Sequence, residues 1–399
     1  MFGWEFPPHN SGGLGVACAG LTRALCRQGI RITFVLPRRM DVSHAEMDFI
    51  FGDAEGMNIY SVDSCLHPYV TPETYRRSAP GNSFLYGHTL QDEVYRYGRV
   101  GAHIAKRRRF DIIHAHDWLS LYAGMEAKRV SGKPLVIHMH ATEFDRTGGH
   151  NINSFVYETE RMGMEYADKI IAVSNLTKNI IVSRYKIPDE KVEVIHNQID
   201  ISEYGHGGAS VEVLSQMKRR GTKVVLFVGR ITLQKGPDYF LRAAASVLKF
   251  MENTVFVIAG SGDMEPLLLG EVSRLGISKH VIFAGFLRGD ELSSLYKAAD
   301  AYVMPSVSEP FGLTSLEALV HGTPVIMSKQ SGVSEVVRHA LKVDFWDVDE
   351  LTNTIVAVLQ NAPLRNTLQR YGQEEVKHMS WDHAARSCVA VYRRVLACL

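Results

Sequence analysis

At 399 residues the chain exceeds what one hydrophobic core usually organises, so two domains is the starting expectation. Hydrophobic residues make up 46% and charged residues 22%, which excludes the disordered, collagenous and coiled-coil classes. Lys and Arg number 44 against 43 Asp and Glu, so there is no global field to hold nucleic acid or an anionic membrane, and five cysteines without a CxxC suggest neither a disulfide framework nor a zinc site.

A reducing, cytoplasmic location is the default for such cysteine usage. No apolar run approaches the roughly 18 residues a spanning helix needs, and the start "MFGWEFPPHN" lacks the charged region and apolar core of a signal peptide.

In "MFGWEFPPHNSGGLG" only three or four residues come before the chain turns, so the first strand is expected to be very short or incomplete. Gly12 and Gly13 enter a helix whose bare amides favour an anion, with ordinary turn chemistry as the alternative. The motif is not GxGxxG, and no acidic residue closes the next strand, which argues against NAD. Strands are expected at 30–36, 110–116, 134–140, 169–174 and 192–196, alternating with amphipathic stretches in the βαβ manner. The irregular stretch 51–98 reads as an acceptor-binding insertion or lid. The run Lys106 to Arg109 reads as a solvated helix C-terminus, and Asn175-Leu176-Thr177 as a helix opening.

Two H-x-H pairs, His114/His116 and His138/His140, alternate at strand ends, as do the metal pairs of many hydrolases. The strands do not count out to a barrel, and a metal would leave the basic loop of the second half unexplained, so no metal is expected. His114 and His138 read as structural, His140 as functional, and Asp117 as a sugar or acceptor contact.

After a Gly- and Ser-rich linker at 198–210, strands are expected at 223–229, 254–260, 280–285, 301–305 and 323–328. The domains are therefore set at 1–200 and 201–375, with a last helix at 376–399 packing on something outside its own run. Two doubly wound α/β sheets fit this order, and ligands of such sheets bind at the carboxyl ends of strands. There "FVGRITLQKG" sets Arg230 and Lys235 five apart, two cations that suit a diphosphate. In "SEPFGLTSLEA" a turn leads into a helix, so the amides of Gly312, Leu313 and Thr314 can bind phosphate. Glu317 can take vicinal hydroxyls of a ribose, and Glu309 a sugar ring on the same diphosphate. In "WDVDE", Asp347 and Glu350 have the spacing of a helix cap rather than of a metal-binding D-x-D.

Together "EPFGLTSLE", "GRITLQKG", "HAHDW" and "SGGLG" resemble the family 4 retaining glycosyltransferases, over the whole chain. "HATE" at 140–143 is similar to sucrose synthases, and "WEFPP" with "GGLG" to glycogen and starch synthases. The resemblance implies a GT-B architecture, two Rossmann-like domains facing a central cleft, with the C-terminal helix crossing back to the first. It implies a hexose, glucose in the first instance, moved from a UDP- or ADP-linked donor to an acceptor hydroxyl on a glucan or small sugar, without a required cofactor. By the same resemblance Arg230 and Lys235 hold the diphosphate, Glu309 and His140 meet the transferred sugar, and Glu317 binds the ribose. Gly13, beside Gly12, approaches the phosphate. Phe286 and Leu287 back the base, and Glu143 stands with Asp117 among sugar or acceptor contacts. The sequence departs from glycogen synthases at Asn10, where their K-x-G-G-L motif has lysine, which argues against glucan elongation from ADP-glucose. A sugar-nucleotide epimerase on the same fold and a metal-dependent hydrolase are the competing enzyme readings. A non-catalytic nucleotide-sugar sensor is the other.

Overall fold

The computed structural model describes residues 1–7, 12–36, 57–61, 89–204 and 212–398. Asn10, Ser11, Cys65, most of the stretch 51–98 and linker residues 205–210 lie outside the described residues. The chain divides into two compact units, one of Met1–Phe144, Gly149–Gln198 and Trp381–Leu399, the other of Asp145–Gly148 and Ile199–Ser380.

The first unit is built on parallel strands β1 (Ile32–Leu36), β2 (Met57–Ser61), β3 (Ile113–His116), β4 (Leu135–Met139), β5 (Lys169–Ala172) and β6 (Val192–Val194). β3, β4, β5 and β6 pair in that order, and β1 pairs with β2. The first three residues join the two pieces. Phe2 donates its amide to the His114 carbonyl at 2.8 Å and accepts from the His116 amide at 2.9 Å, while on the other side the Gly3 amide donates to the Val35 carbonyl and the Val35 amide to the Met1 carbonyl. The very short first strand is thus a single residue bridged to both neighbours, Val35 and Ala115. β3 and β4 are buried along their whole length, as expected of central strands covered on both faces.

Local signals place the helices. Thr89 and Asp92 form a reciprocal capping box at the start of Leu90–Arg107, whose last turn carries Lys106 and Arg107 against the dipole. Ser174 accepts from the Thr177 amide to open Asn175–Tyr185. The helix Trp381–Ala397 buries Trp381, Ala385, Cys388 and Tyr392 within this unit. It packs on the N-terminal helix Gly13–Arg27 because Gly20 has no side chain: a Cβ there would stand 2.3 Å from the Trp381 indole nitrogen.

The second unit has one six-stranded parallel sheet of order β12-β11-β10-β7-β8-β9. Its strands are β7 (Lys223–Val228), β8 (Thr254–Ala259), β9 (Val281–Gly285), β10 (Ala301–Met304), β11 (Val325–Ser328) and β12 (Leu341–Val343). Phe227, Phe240, Phe256, Val303, Ile326 and Ile355 belong to its core. The chain runs outward from β7 to β9, then returns to lay β10 against the other side of β7. That reversal is the topological switch point, where the loops leaving two neighbouring strands diverge and leave room for a ligand. β2 and β12 were not among the strands expected from the sequence; β12 is three residues long with a lysine at its centre.

Among the described residues, no helix is long and apolar enough to cross a membrane.

Candidate active site

In the second unit the two loops at the switch point carry the two motifs. Leaving β7, residues 229–236 turn through Leu233–Lys235 and end on Gly236, which has φ 63° and so close an approach to the Pro305 carbonyl that a Cβ would lie 2.2 Å from it. Leaving β10, the Val307 amide donates to the Gln234 carbonyl at 2.9 Å, so the loops are stitched together by backbone. This brings the Lys235 ammonium to the Glu309 carboxylate at 2.6 Å, with the Ser306 hydroxyl donating to the same oxygen at 3.1 Å. Glu309 is otherwise 94% shielded from solvent, so its charge is held by these two donors. Arg230 donates to the Gln234 side chain at 2.9 Å.

Gly312, at φ 110°, turns the chain into the helix Leu313–Val320 and offers no side chain to cap it. The amides of Leu313 and Thr314 therefore open a helix whose positive dipole end has no side-chain cap. Glu317 accepts from Tyr296 at 3.1 Å and from Tyr204 at 3.3 Å. Burial pushes its carboxyl up, and the two tyrosine hydroxyls oppose that shift. Neither tyrosine was legible as a partner, because they come from 21 and 113 positions away. Phe286 is half exposed with the Arg288 guanidinium 4.7 Å from its ring centre, and Leu287 follows it at the exit of β9.

In the first unit Gly12 caps and Gly13 starts the N-terminal helix, and neither brings a capping side chain. A residue that the sequence reading passed over supplies one: buried Glu5 accepts from the Gly15 amide at 2.6 Å. A carboxylate already stands where an anion was expected, so the Gly-rich entry is in part an ordinary capped helix start. Its sequence signal was a lone acid among the aromatic and proline residues of "FGWEFPP". Asp117, at φ 58°, accepts from the His140 amide at 2.6 Å and the Ala141 amide at 3.3 Å. Glu143 accepts from the Asn153 amide at 3.0 Å. Both carboxylates thus hold loop backbone.

The four histidines form a buried array on β3 and β4, where His116 pairs in register with His138. His114 and His116 stack with ring centres 4.3 Å apart, as do His138 and His140. His114 Nδ1 bonds the Tyr392 hydroxyl at 2.6 Å, and His116 Nδ1 bonds His140 Nε2 at 3.1 Å. Burial pulls all four well below the usual histidine value of 6.5, His138 to about 3, so the rings are neutral. Two triads, Cys18 with His116 and His140, and His114 with His116 and His138, bring donor atoms within 4.8 Å of one another.

Comparison with known proteins agrees with this division of the chain. The family model described as Glycosyltransferase Family 4 matches residues 11–203, and that described as Glycosyl transferases group 1 matches residues 215–375. The chain is 32% identical to an uncharacterized glycosyltransferase of Methanocaldococcus jannaschii, over 98% of this chain and 97% of that protein. It is 26% identical to the glycogen synthase of Mycobacterium tuberculosis, over 98% of this chain and 93% of that protein. Among solved structures, Anabaena HepE in complex with UDP and glucose superposes with a TM-score of 0.72 at 18% identity, covering 98% of this chain and 99% of that one. Two parallel-sheet α/β units, a switch point carrying paired acid and base, and these matches along the whole length place the chain in the GT-B glycosyltransferases of family 4.

Proposed function

We propose that the protein is a retaining hexosyltransferase that uses a UDP- or ADP-linked sugar, glucose in the first instance, and transfers it to an acceptor hydroxyl on a sugar. The observation that carries this reading is the Lys235–Glu309 ion pair at the switch point, next to the uncapped start of Leu313–Val320. The lysine and Arg230 are cations that a donor diphosphate would engage, and the amides of Gly312, Leu313 and Thr314 add donors for its oxygens. Relieved of the lysine, Glu309 would accept hydroxyls of the transferred sugar. Glu317, held by two tyrosines, would take the ribose, and Phe286 and Leu287 would flank the base. His140 would donate to the sugar in the first unit, with Gly12, Gly13, Asp117 and Glu143 shaping the loops around it.

In the transfer, the bond from the anomeric carbon to the phosphate oxygen breaks as that carbon bonds to the acceptor oxygen on the same face. The acceptor proton passes to the departing phosphate, and Arg230 and Lys235 stabilise the charge that develops there. No carboxylate nucleophile is required. The Anabaena structure with UDP and glucose supports a nucleotide sugar as donor, and the glycogen synthase relative supports a hexose. The free cysteines among the described residues, Cys18, Cys26, Cys388 and Cys398, fit a cytoplasmic setting.

A thermal-shift panel of UDP, ADP, GDP and their glucose, mannose and N-acetylglucosamine conjugates, with and without EDTA, tests the reading. Stabilisation by one nucleotide family regardless of EDTA is expected. No shift from any of them, with stability lost in EDTA, would overturn it in favour of metal chemistry at the histidines. With the donor named, proton NMR of the product gives the anomeric configuration. A changed nucleotide sugar without an acceptor would identify an epimerase instead.

A further inference from the structure

We propose that His116 is a positioning residue that fixes the tautomer and ring orientation of His140, so that His140 presents Nδ1–H to the substrate. The inference rests on the reading of His140 as a contact of the transferred sugar.

His116 Nδ1 and His140 Nε2 are 3.1 Å apart, a hydrogen-bond distance between two ring nitrogens. A neutral imidazole has one N–H and one lone pair. Hence one proton lies between the rings, and its owner determines what the far side of each ring offers. His140 Nδ1 and His116 Nε2 are both buried without a partner among the described residues. If His140 Nε2 owned the shared proton, His116 would carry an orphaned N–H at a position with no solvent exposure at all. If His116 Nδ1 owns it, His116 keeps only an orphaned lone pair, and the free N–H passes to His140 Nδ1, itself buried but on the ring that the sugar reading sets against the substrate. Orphaned buried N–H groups are rarer than orphaned acceptors. Each arrangement leaves one orphaned N–H, and only in the second can a sugar oxygen bound at His140 satisfy it, so that arrangement leaves an unspent hydrogen-bond donor for the substrate.

His116 is itself held firmly. It stacks on His114, which Tyr392 anchors, and lies 6.1 Å from the Phe34 ring centre. The next residue, Asp117, holds the His140 backbone amide at 2.6 Å. Two consecutive residues of "HAHDW" thus fix His140, one through its ring and one through its main chain.

Long-range proton–nitrogen NMR of the protein labelled with 15N-histidine reads each tautomer directly, and is expected to show Nδ1–H on both His116 and His140. His116→Ala should turn His140 to the Nε2–H form that prevails in water. It should also lower kcat for release of UDP or ADP from UDP-glucose or ADP-glucose about tenfold or more, with the donor KM within about twofold. His116→Asn, whose amide can donate from nearly the Nδ1 position, should recover most of that loss. Nε2–H on His140 in the wild type would overturn the proposal, as would a His116→Ala protein with unchanged tautomer and kcat, or Asn as poor as Ala. If His116→Ala does not fold, the wild-type spectrum decides. Full activity in His140→Ala would instead remove the sugar contact, while the spectra still judge the His116–His140 pair.

Discussion

The two units solve opposite electrostatic problems. At the switch point of the second, carboxylates are held by donors: Glu309 by the Lys235 ammonium, and Glu317 by two tyrosine hydroxyls. On β3 and at the end of β4 in the first, burial has stripped four imidazoles of their charge, and several ring nitrogens have no partner among the described residues. A diphosphate suits the first kind of place, since it can take over a cation already desolvated and aimed. A neutral sugar suits the second, which offers hydrogen bonds without a net field. On the proposed function, the difference would keep charge for the leaving group and neutrality for the group being moved.

The contrast can be broken most severely at Lys235. Lys235→Ala should cut turnover at least about a hundredfold, the usual cost of losing a developing-charge stabiliser, while circular dichroism stays native; near-normal kcat would remove the phosphate loop from the mechanism. The neutral array can be broken by acid instead. Because burial depresses the folded-state histidine values below 6.5, the unfolded chain binds protons that the folded chain does not. Stability is complete above pH 6.5 and falls as pH drops from there toward about 3, the folded value of His138, by up to about 1.4 kcal/mol per pH unit for each histidine. Urea melts of His138→Leu across that window should show a slope shallower by about one proton, and an unchanged slope would mean that His138 titrates freely.

Next in size is Glu317→Ala. Calorimetric titration with UDP or ADP should show affinity down by roughly tenfold, about 1.4 kcal/mol, with equal affinity arguing against the ribose role. The finest probe is Tyr296→Phe. Losing one hydroxyl from the Glu317 carboxyl should weaken nucleotide binding by only about two- to fivefold, since a net hydrogen bond is worth about 1 kcal/mol or less. A loss as large as that of Glu317→Ala would make the tyrosine a ligand contact rather than a support.

Much of the fold could be read in advance because parallel strands buried on both faces leave an unmistakable pattern, short β-branched runs such as "KVVLFV" and "TVFVIA" separated by amphipathic stretches. The residues at the strand exits were legible for the same reason, since the sheet type dictates where ligands bind. Partnerships across the chain were not. Nothing in the spacing says that Lys235 rests on Glu309, that Tyr204 reaches Glu317, or that Glu5 caps a helix ten residues on. H-x-H alternation placed each histidine pair on one face of its strand, but only the register of β3 against β4 brings His116 beside His140. Phe2 shows the limit of pattern reading in another way, because a one-residue bridge has no period to detect.

The helix that closes on Gly20 through Trp381 has a consequence for how the molecule is made. The first unit takes its last helix from residues 381–397, after the whole second unit has been threaded through. On a ribosome, where domains tend to fold as they emerge, the second unit has all its strands available while the first still lacks a helical cover. The apolar face of Gly13–Arg27, with Leu14, Ala17 and Leu21, must wait for its partner through some 350 residues of synthesis. The part translated first is completed last.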